Sequence, residues 1–176
     1  PTRPTNLKQR FLVENQKIFR LSRIEEHNIS AQVEDLMISK ILNAAQSADG
    51  IIISDFVYGV ITPRIMMEIS RIAKRFNLKL FADVQCSSQV GSISKFHDYT
   101  LLSPNERELR LALQDKDAGL EQLSQQLIRE TSCQFLLVKL ASEGVIAYDR
   151  DVHNKILSQS FPALSVNPLD VTGAGD

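Results

Sequence analysis

The last residues of the chain, Asp170-Val171-Thr172-Gly173-Ala174-Gly175-Asp176, hold its densest chemistry. Gly173 and Gly175, one alanine apart, let backbone amides approach a ligand without Cβ obstruction, and a helix opening after them would aim its free N–H groups at the same point. Such a corner holds phosphate. Asp176 would repel phosphate in a pure anion site, but it suits a base that takes the proton from an attacking hydroxyl. The combination reads as phosphoryl transfer to an alcohol. Asp170, at the start of the loop, either supports a metal and phosphate network or caps the loop.

These residues resemble the second signature of the ribokinase (PfkB) sugar-kinase family, Asp-x-Thr-Gly-Ala-Gly-Asp. The resemblance implies ATP-dependent, Mg²⁺-assisted phosphorylation of a sugar or sugar phosphate. Asp176 would be the catalytic base, the Gly173, Ala174 and Gly175 amides the anion hole, and Thr172 a residue of the nucleotide side. Asn105-Glu106-Arg107-Glu108 matches the family's Asn-x-x-Glu, so Asn105 and Glu108, with Asp170, are expected near magnesium and its waters. A triphosphate brings several negative charges, and Mg²⁺ prefers oxygen ligands while keeping water. Lys139-Leu140-Ala141-Ser142-Glu143-Gly144 corresponds to the nucleotide-side turn Thr-x-Gly-x-x-Gly, with Lys139 for Thr, Ala141 for the first Gly, and Gly144 retained. An ordinary strand turn is the alternative there.

The nearest subgroup is the heptose-phosphate kinase domain of the ADP-heptose synthases. Its members resemble this chain in Arg3-Pro4-Thr5 through Lys8 and Arg10, in Asn15-Gln16 with Arg20, in Ser54-Asp55-Phe56 with Gly59, in Thr62-Pro63 and in Leu102-Ser103-Pro104-Asn105. The likeness covers almost the whole chain. The subgroup usually has a lysine where this chain has Tyr58, and Pro-Lys-Gly where it has Val84-Gln85-Cys86. Two cations are therefore missing.

Periodicity gives the elements that must position these groups. Leu7 to Val13 and Lys17 to Leu21 alternate as two short strands around Glu14-Asn15-Gln16, which predicts a hairpin. Its Lys8, Arg10, Arg20 and Arg23 form either a solvated edge that discourages strand pairing or a basic collar over an anionic ligand. Ser30 can cap a helix whose stripe of Val33, Leu36, Met37, Ile41 and Leu42 reads as core, ending near Ser47. Gly50-Ile51-Ile52-Ile53-Ser54-Asp55 reads as a buried parallel strand whose carboxyl end reaches a crevice, making Asp55 a site residue or a turn cap. Thr62-Pro63 opens a second helix, with Ile65, Ile69, Ile72 and Phe76 inward. Lys79 to Asp83 repeats the strand ending on an acid, so Asp83 joins Asp55 as a candidate substrate contact.

Tyr99 to Leu102 is a third strand, and Ser103-Pro104-Asn105-Glu106 reads as a capping box, with Glu106 as its acid and Glu108 beyond it. A helix from about Ala118 to Glu130 buries Leu120, Leu123, Leu127 and Ile128. Strands follow over Gln134 to Leu140, Val145 to Tyr148 and Lys155 to Ser160. Strand and helix alternate through the middle of the chain, which indicates an α/β layer with a mainly parallel sheet.

Of 176 residues, 43% are hydrophobic and 23% charged, enough for one good core. The formal charge of −1 leaves no general electrostatic footprint for nucleic acid or an anionic membrane. Cys86 and Cys133 form no CxxC, which argues against a zinc site or disulfide scaffold and suits a reducing cytoplasm. No apolar run can span a bilayer, and Pro1-Thr2-Arg3-Pro4 has no signal-peptide core. His27, His97 and His153 show no ligand spacing and read as surface residues.

The resemblance completes these expectations. It implies a ribokinase-like three-layer α/β/α fold with a mainly parallel sheet. Residues 1–25 would be a β-hairpin lid over the sugar and residues 26–176 part of a kinase core cropped at both ends, with a homodimer formed through the hairpin. Under it, Lys8, Arg10 and Arg20 would capture an anionic substituent. A sugar- or nucleotide-binding relative without turnover is the rival reading, and a truncated polypeptide that only oligomerises or misfolds is a second.

Overall fold

The computed structural model describes residues 3–14, 16–85 and 91–164. The proposed phosphate loop from Asp170 to Asp176 lies outside them, as do Cys86 and Asn15. The hairpin forms as expected: β1 (Leu7–Val13) pairs antiparallel with β2 (Gln16–Arg23). After it come α1 (Ala31–Ala44), β3 (Gly50–Asp55), α2 (Pro63–Phe76), β4 (Lys79–Val84), β5 (Leu101–Leu102), α3 (Glu106–Leu113) and α4 (Leu120–Thr131). The described elements end with β6 (Phe135–Lys139), β7 (Val145–Arg150) and β8 (Ile156–Phe161). The last six strands form one sheet in sequence order. Its first three pairings are parallel and its last two antiparallel.

The strong local signals set these elements. Thr62 caps α2, its hydroxyl accepting from the Ile65 N–H, and Pro63 sits where a missing donor costs nothing. Ile65, Ile69 and Ile72 then fall on one face and are buried. In β4, Leu80, Ala82 and Val84 point to that same core, and their pleat neighbours Phe81 and Asp83 do not. Leu102, Leu109, Leu123, Leu127, Ile128, Leu136 and Val138 complete it. Each fully buried leucine contributes about 1.5–3 kcal/mol relative to exposure.

All the described helices pack against this one face. The mainly parallel sheet, the helices and the antiparallel hairpin are the ribokinase-like class expected, and the described helices form one layer of it. On the opposite face Phe81, Leu101, Phe135 and Leu137 stay half-exposed and outside the core. Ile52 on the edge strand β3 is 77% exposed, so that strand is not buried on both sides as its apolar run suggested. The stripe on α1 is likewise only partly core. Met37, Ile38 and Ile41 pack against the cluster, whereas Val33 and Leu36 are exposed and no residue of the helix is fully buried.

A polar patch fastens α1 to α2. The Thr62 hydroxyl donates to Glu34, and Arg64 reaches Glu34 at 3.1 Å and also Asp35. The Thr62 hydroxyl, together with Arg64, holds the Glu34 carboxyl below the usual carboxylate range, against partial desolvation and the nearby Asp35 charge. A carboxyl whose folded pKa is depressed adds stability that is present above its unfolded pKa and is lost as pH falls through the folded value. Glu34→Gln should therefore lower the melting temperature at neutral pH and make its decline on acidification shallower. Melting curves of both proteins from neutral to acid pH check this, and parallel curves would remove the contribution.

Among the described residues no helix is long and apolar enough to cross a membrane.

Candidate active site

The carboxyl ends of the parallel strands gather the polar side chains that the sequence singled out. Asp55 ends β3, Asp83 lies next to the end of β4, Asn105 follows β5, and Lys139 ends β6. This is where an open α/β sheet binds ligands, because helix amino ends and strand carboxyl ends converge outside the sheet. Asp55 is buried at 2% exposure. One of its oxygens accepts from the Val57 N–H at 2.9 Å and the other pairs with the Lys95 ammonium. Lys95 belongs to a 3₁₀ turn, Ile93–Lys95, and was not anticipated from sequence. Thus Asp55 is both a turn cap and half of an ion pair.

Lys139 meets Asp83 at 2.7 Å, which joins a residue expected on the nucleotide side to one expected on the acceptor side. Its backbone N–H donates to the Pro104 carbonyl at 2.9 Å, and the Asn105 backbone bridges to it in parallel register. This small extension of the sheet determines where α3 begins. Asn105 is the cap: its Oδ1 accepts from the Glu108 N–H at 2.9 Å, and Glu108 Oε2 accepts from the Asn105 N–H at 2.8 Å. The acid of the capping box is therefore Glu108, not Glu106, which instead pairs with Arg110. Glu108 is buried.

The turn after β6 explains two positions of the nucleotide-side motif. Ala141 has φ +52°, a left-handed conformation that costs a residue with a Cβ about 1–2 kcal/mol. A glycine there would be unstrained. Gly144 has φ +100°, and a Cβ on it would lie 2.0 Å from the Phe161 carbonyl oxygen and 2.7 Å from the Ala163 nitrogen. The close approach that requires this glycine is thus made by the chain's own backbone at the end of β8 and just after it.

On the other side, the hairpin and the β3–α2 loop enclose a cavity of about 380 Å³. Asn6 and Lys8 line it from the hairpin, and Ser54, Asp55, Phe56, Tyr58, Val60 and Ile61 from the crevice. The Lys8 ammonium lies 5.0 Å from the Tyr58 ring centre and 5.7 Å from that of Phe56, within cation–π reach. Tyr58, noted above as the loss of a lysine, is therefore the platform for a different lysine. The register sets Arg10 directly opposite Arg20, on the face that carries Lys8. Like charges in opposed strand positions are destabilising, and among the described residues neither arginine meets a carboxylate.

The cavity is thus lined by a cation from the hairpin and by a buried carboxylate from the crevice. A carboxylate has about four lone-pair sites, of which Lys95 and Val57 use two, so Asp55 can also accept from a ligand hydroxyl. Among the described residues no group of three His, Cys, Asp or Glu could hold a metal. Since Asn105 and Glu108 each spend an oxygen on the cap, the pair suits magnesium reached through its waters, an ion that keeps several of them. His27, His97 and His153 are exposed, as expected. Asp170, Thr172, Gly173, Ala174, Gly175 and Asp176 lie outside the described residues.

Comparison with known proteins bears on the family and the fold. A family model described as pfkB family carbohydrate kinase matches residues 1–176. The bifunctional protein HldE of Wolinella succinogenes is 29% identical over 99% of this chain and 35% of its own length. That of Campylobacter fetus is 32% identical over 99% of this chain and 36% of its own. The chain thus spans about a third of the length of these relatives. Among solved structures, Giardia lamblia ribokinase superposes with a TM-score of 0.72 at 15% identity, covering 98% of this chain and 53% of that one. Phosphofructokinase-2 from Escherichia coli gives 0.70 at 15% identity, with 97% and 53% covered. Likeness at such low identity shows the fold.

Proposed function

Because the chain belongs to the pfkB family of carbohydrate kinases, we propose that the intact protein transfers the γ-phosphoryl group of ATP to a hydroxyl of a phosphorylated sugar, and that the hairpin is the lid of its acceptor site. The observation that carries the acceptor assignment is the cavity shared by hairpin and crevice, with Lys8 on one wall and Asp55 on the other. The opposed pair Arg10 and Arg20 on the same hairpin face supports an anionic substituent, because a bound anion would pair with both guanidinium groups and offset a repulsion that water and salt otherwise only screen. The resemblance of the sequence to the heptose-phosphate kinase domain of the ADP-heptose synthases favours a heptose phosphate among such acceptors.

In this reading Asp55 accepts a hydroxyl of the sugar and orients it. Asp176 takes the proton of the attacking hydroxyl, and the amides of Gly173, Ala174 and Gly175 hold the charge on the equatorial oxygens, a contribution of several kcal/mol when pre-oriented. Lys139, Ala141, Gly144 and Thr172 border the nucleotide side, where the Lys139–Asp83 pair links the two halves of the crevice. Asn105 and Glu108, with Asp170, would hold magnesium through its waters, and that ion would offset charge on the nucleotide phosphates. Phe11 and Phe19 stack at 4.2 Å on the outer hairpin face, where with Leu7 and Leu21 they are exposed. That face suits a homodimer made through the hairpin. A cytoplasmic setting agrees with the buried free thiol of Cys133.

The test is ADP release from ATP by the intact gene product with a panel of sugars and their phosphates. Sugar phosphates should turn over better than the parent sugars. Arg10→Ala and Arg20→Ala should each raise the KM for the phosphorylated acceptor by about tenfold, the equivalent of one charge-assisted contact, and leave that for ATP alone. No ADP above background would favour the binding relative without turnover.

A further inference from the structure

Arg3 is bonded across three segments that carry no motif of phosphoryl transfer. Its Nη2 donates both to the carbonyl of Glu25, just past the end of the hairpin, and to the carbonyl of Tyr58 in the β3–α2 loop. Asn6, three residues on, accepts from the Glu25 N–H at 2.8 Å, so the two legs of the hairpin are tied at their root. The loop is fastened to the same root from its other side. The Ile29 N–H donates to the Gly59 carbonyl at 3.0 Å, and a Cβ on Gly59, at φ +74°, would lie 2.5 Å from the His27 oxygen. Backbone from the hairpin root and backbone from the acceptor loop are therefore in direct contact, and the Arg3 guanidinium bonds to both.

Arg3 is not simply an ion-pair residue. Among the described residues it meets no carboxylate, and its Nη1 is buried without an acceptor. A guanidinium used in this way is costly to desolvate and contributes little net stability. Both bonds leave Nη2, however, and its two N–H groups are fixed in the guanidinium plane, so they hold two carbonyls in one relative position more rigidly than a freely rotating ammonium. Each bond leads to a residue of the cavity wall or to its neighbour: Tyr58 lines the cavity and carries the ring under Lys8, and Glu25 donates its N–H to Asn6, which with Lys8 lines the cavity from the leg that Arg3 begins.

We propose that Arg3 is a positioning residue, which clamps the root of the hairpin to the Phe56–Gly59 loop and so holds Lys8 over the acceptor cavity. The proposal rests on the reading of that cavity as the acceptor site and adds the residue that keeps the lid in register with it. Arg3 touches no reacting atom. Its removal frees the hairpin to sample orientations in which Lys8 leaves the Tyr58 ring, which lowers the fraction of molecules competent to bind acceptor and raises apparent KM in proportion.

The experiment compares the intact wild-type gene product with Arg3→Ala and Arg3→Lys by amide hydrogen exchange and steady-state kinetics. Amides of β1, β2 and residues 56–59 should exchange about tenfold faster in Arg3→Ala, with the amides of β4 and β6 unchanged, since local opening is read separately from global unfolding. The acceptor KM should rise by about tenfold while the ATP KM stays put, and Arg3→Lys should recover only part of either effect. Unchanged hairpin exchange overturns the clamp, and so does faster exchange spread evenly over the sheet, which would make Arg3 a general stability residue. Full recovery in Arg3→Lys, or equal rises of both KM values, would also overturn it. If no acceptor in the panel turns over, the functional reading falls while the exchange comparison still decides whether Arg3 clamps the hairpin.

Discussion

Replacing Asp176 with asparagine in the intact gene product should lower the rate of ATP-dependent phosphorylation by about 10²–10⁴-fold, the range over which general-base catalysis contributes. Asparagine keeps the size and a hydrogen-bonding oxygen but cannot accept the proton that leaves the attacking hydroxyl. The change also removes a negative charge from a site filled by phosphates, so ATP binding should hold or tighten rather than weaken. That opposite movement of binding and rate is the diagnostic feature. Single-turnover ADP formation and calorimetric ATP binding on the two proteins measure it. Equal rates would remove Asp176 as the base, and a parallel loss of ATP binding would make it a structural support of the phosphate loop.

The prediction rests on a seven-residue signature, and most of the fold around it was similarly open to sequence reading wherever a local rule decides. Thr62-Pro63 with isoleucines at helical spacing defines α2, because cap, first-turn proline and buried face all agree. Elsewhere the local pattern set a preference and the surroundings decided. An apolar stripe identifies the face of a helix but not how much lies over it, so Val33 and Leu36 of α1 remain exposed. An all-apolar strand does not reveal that it will be an edge, and Ile52 is left in solvent. Ser103 and Glu106 have capping-box spacing, yet Ser103 donates its N–H to the Ala82 carbonyl and stays in the sheet, and Lys139 holds Pro104 in the same way. The helix must wait for Asn105, which moves the box to Glu108.

The charged side chains of the crevice were legible one at a time and not as pairs. Asp55 and Asp83 stand out as acids at strand ends, but their partners lie 40 and 56 positions away. No motif links Lys95 to Asp55, and the packing of the 3₁₀ turn against α3, α4 and β4 brings them together. Lys139, read by resemblance as a replaced threonine, acquired its meaning from Asp83. Tyr58 changed meaning in the same way, from a missing cation to the ring beneath Lys8.

Asp55→Ala should be the most damaging substitution in the described part of the crevice, and the reason can be separated into stability and binding. The carboxylate is 2% exposed and satisfies both Lys95 and the Val57 N–H, so its loss strands a cation and a backbone donor together. Breaking one side of a fully buried ion pair costs about 3–5 kcal/mol. Lys95 keeps 27% exposure and can turn partly to water, which reduces the expected cost to about 2–4 kcal/mol. At 2–4 °C per kcal/mol for a chain of this size, the melting temperature should fall by about 5–15 °C. Removing the stranded charge as well, in Asp55→Ala with Lys95→Met, should recover a large part of that loss, because an apolar pair avoids the desolvation that the lone lysine suffers. Acceptor binding should not follow. On the proposed role of Asp55, the oxygen that would receive the sugar hydroxyl is absent from both proteins, so both should bind acceptor equally poorly although one is much more stable than the other. Thermal melts and acceptor titrations on wild type, the two single variants and the double variant complete the cycle. A double variant no more stable than Asp55→Ala would refute the ion-pair argument. Binding that returned together with stability would show that Asp55 shapes the loop without touching the sugar.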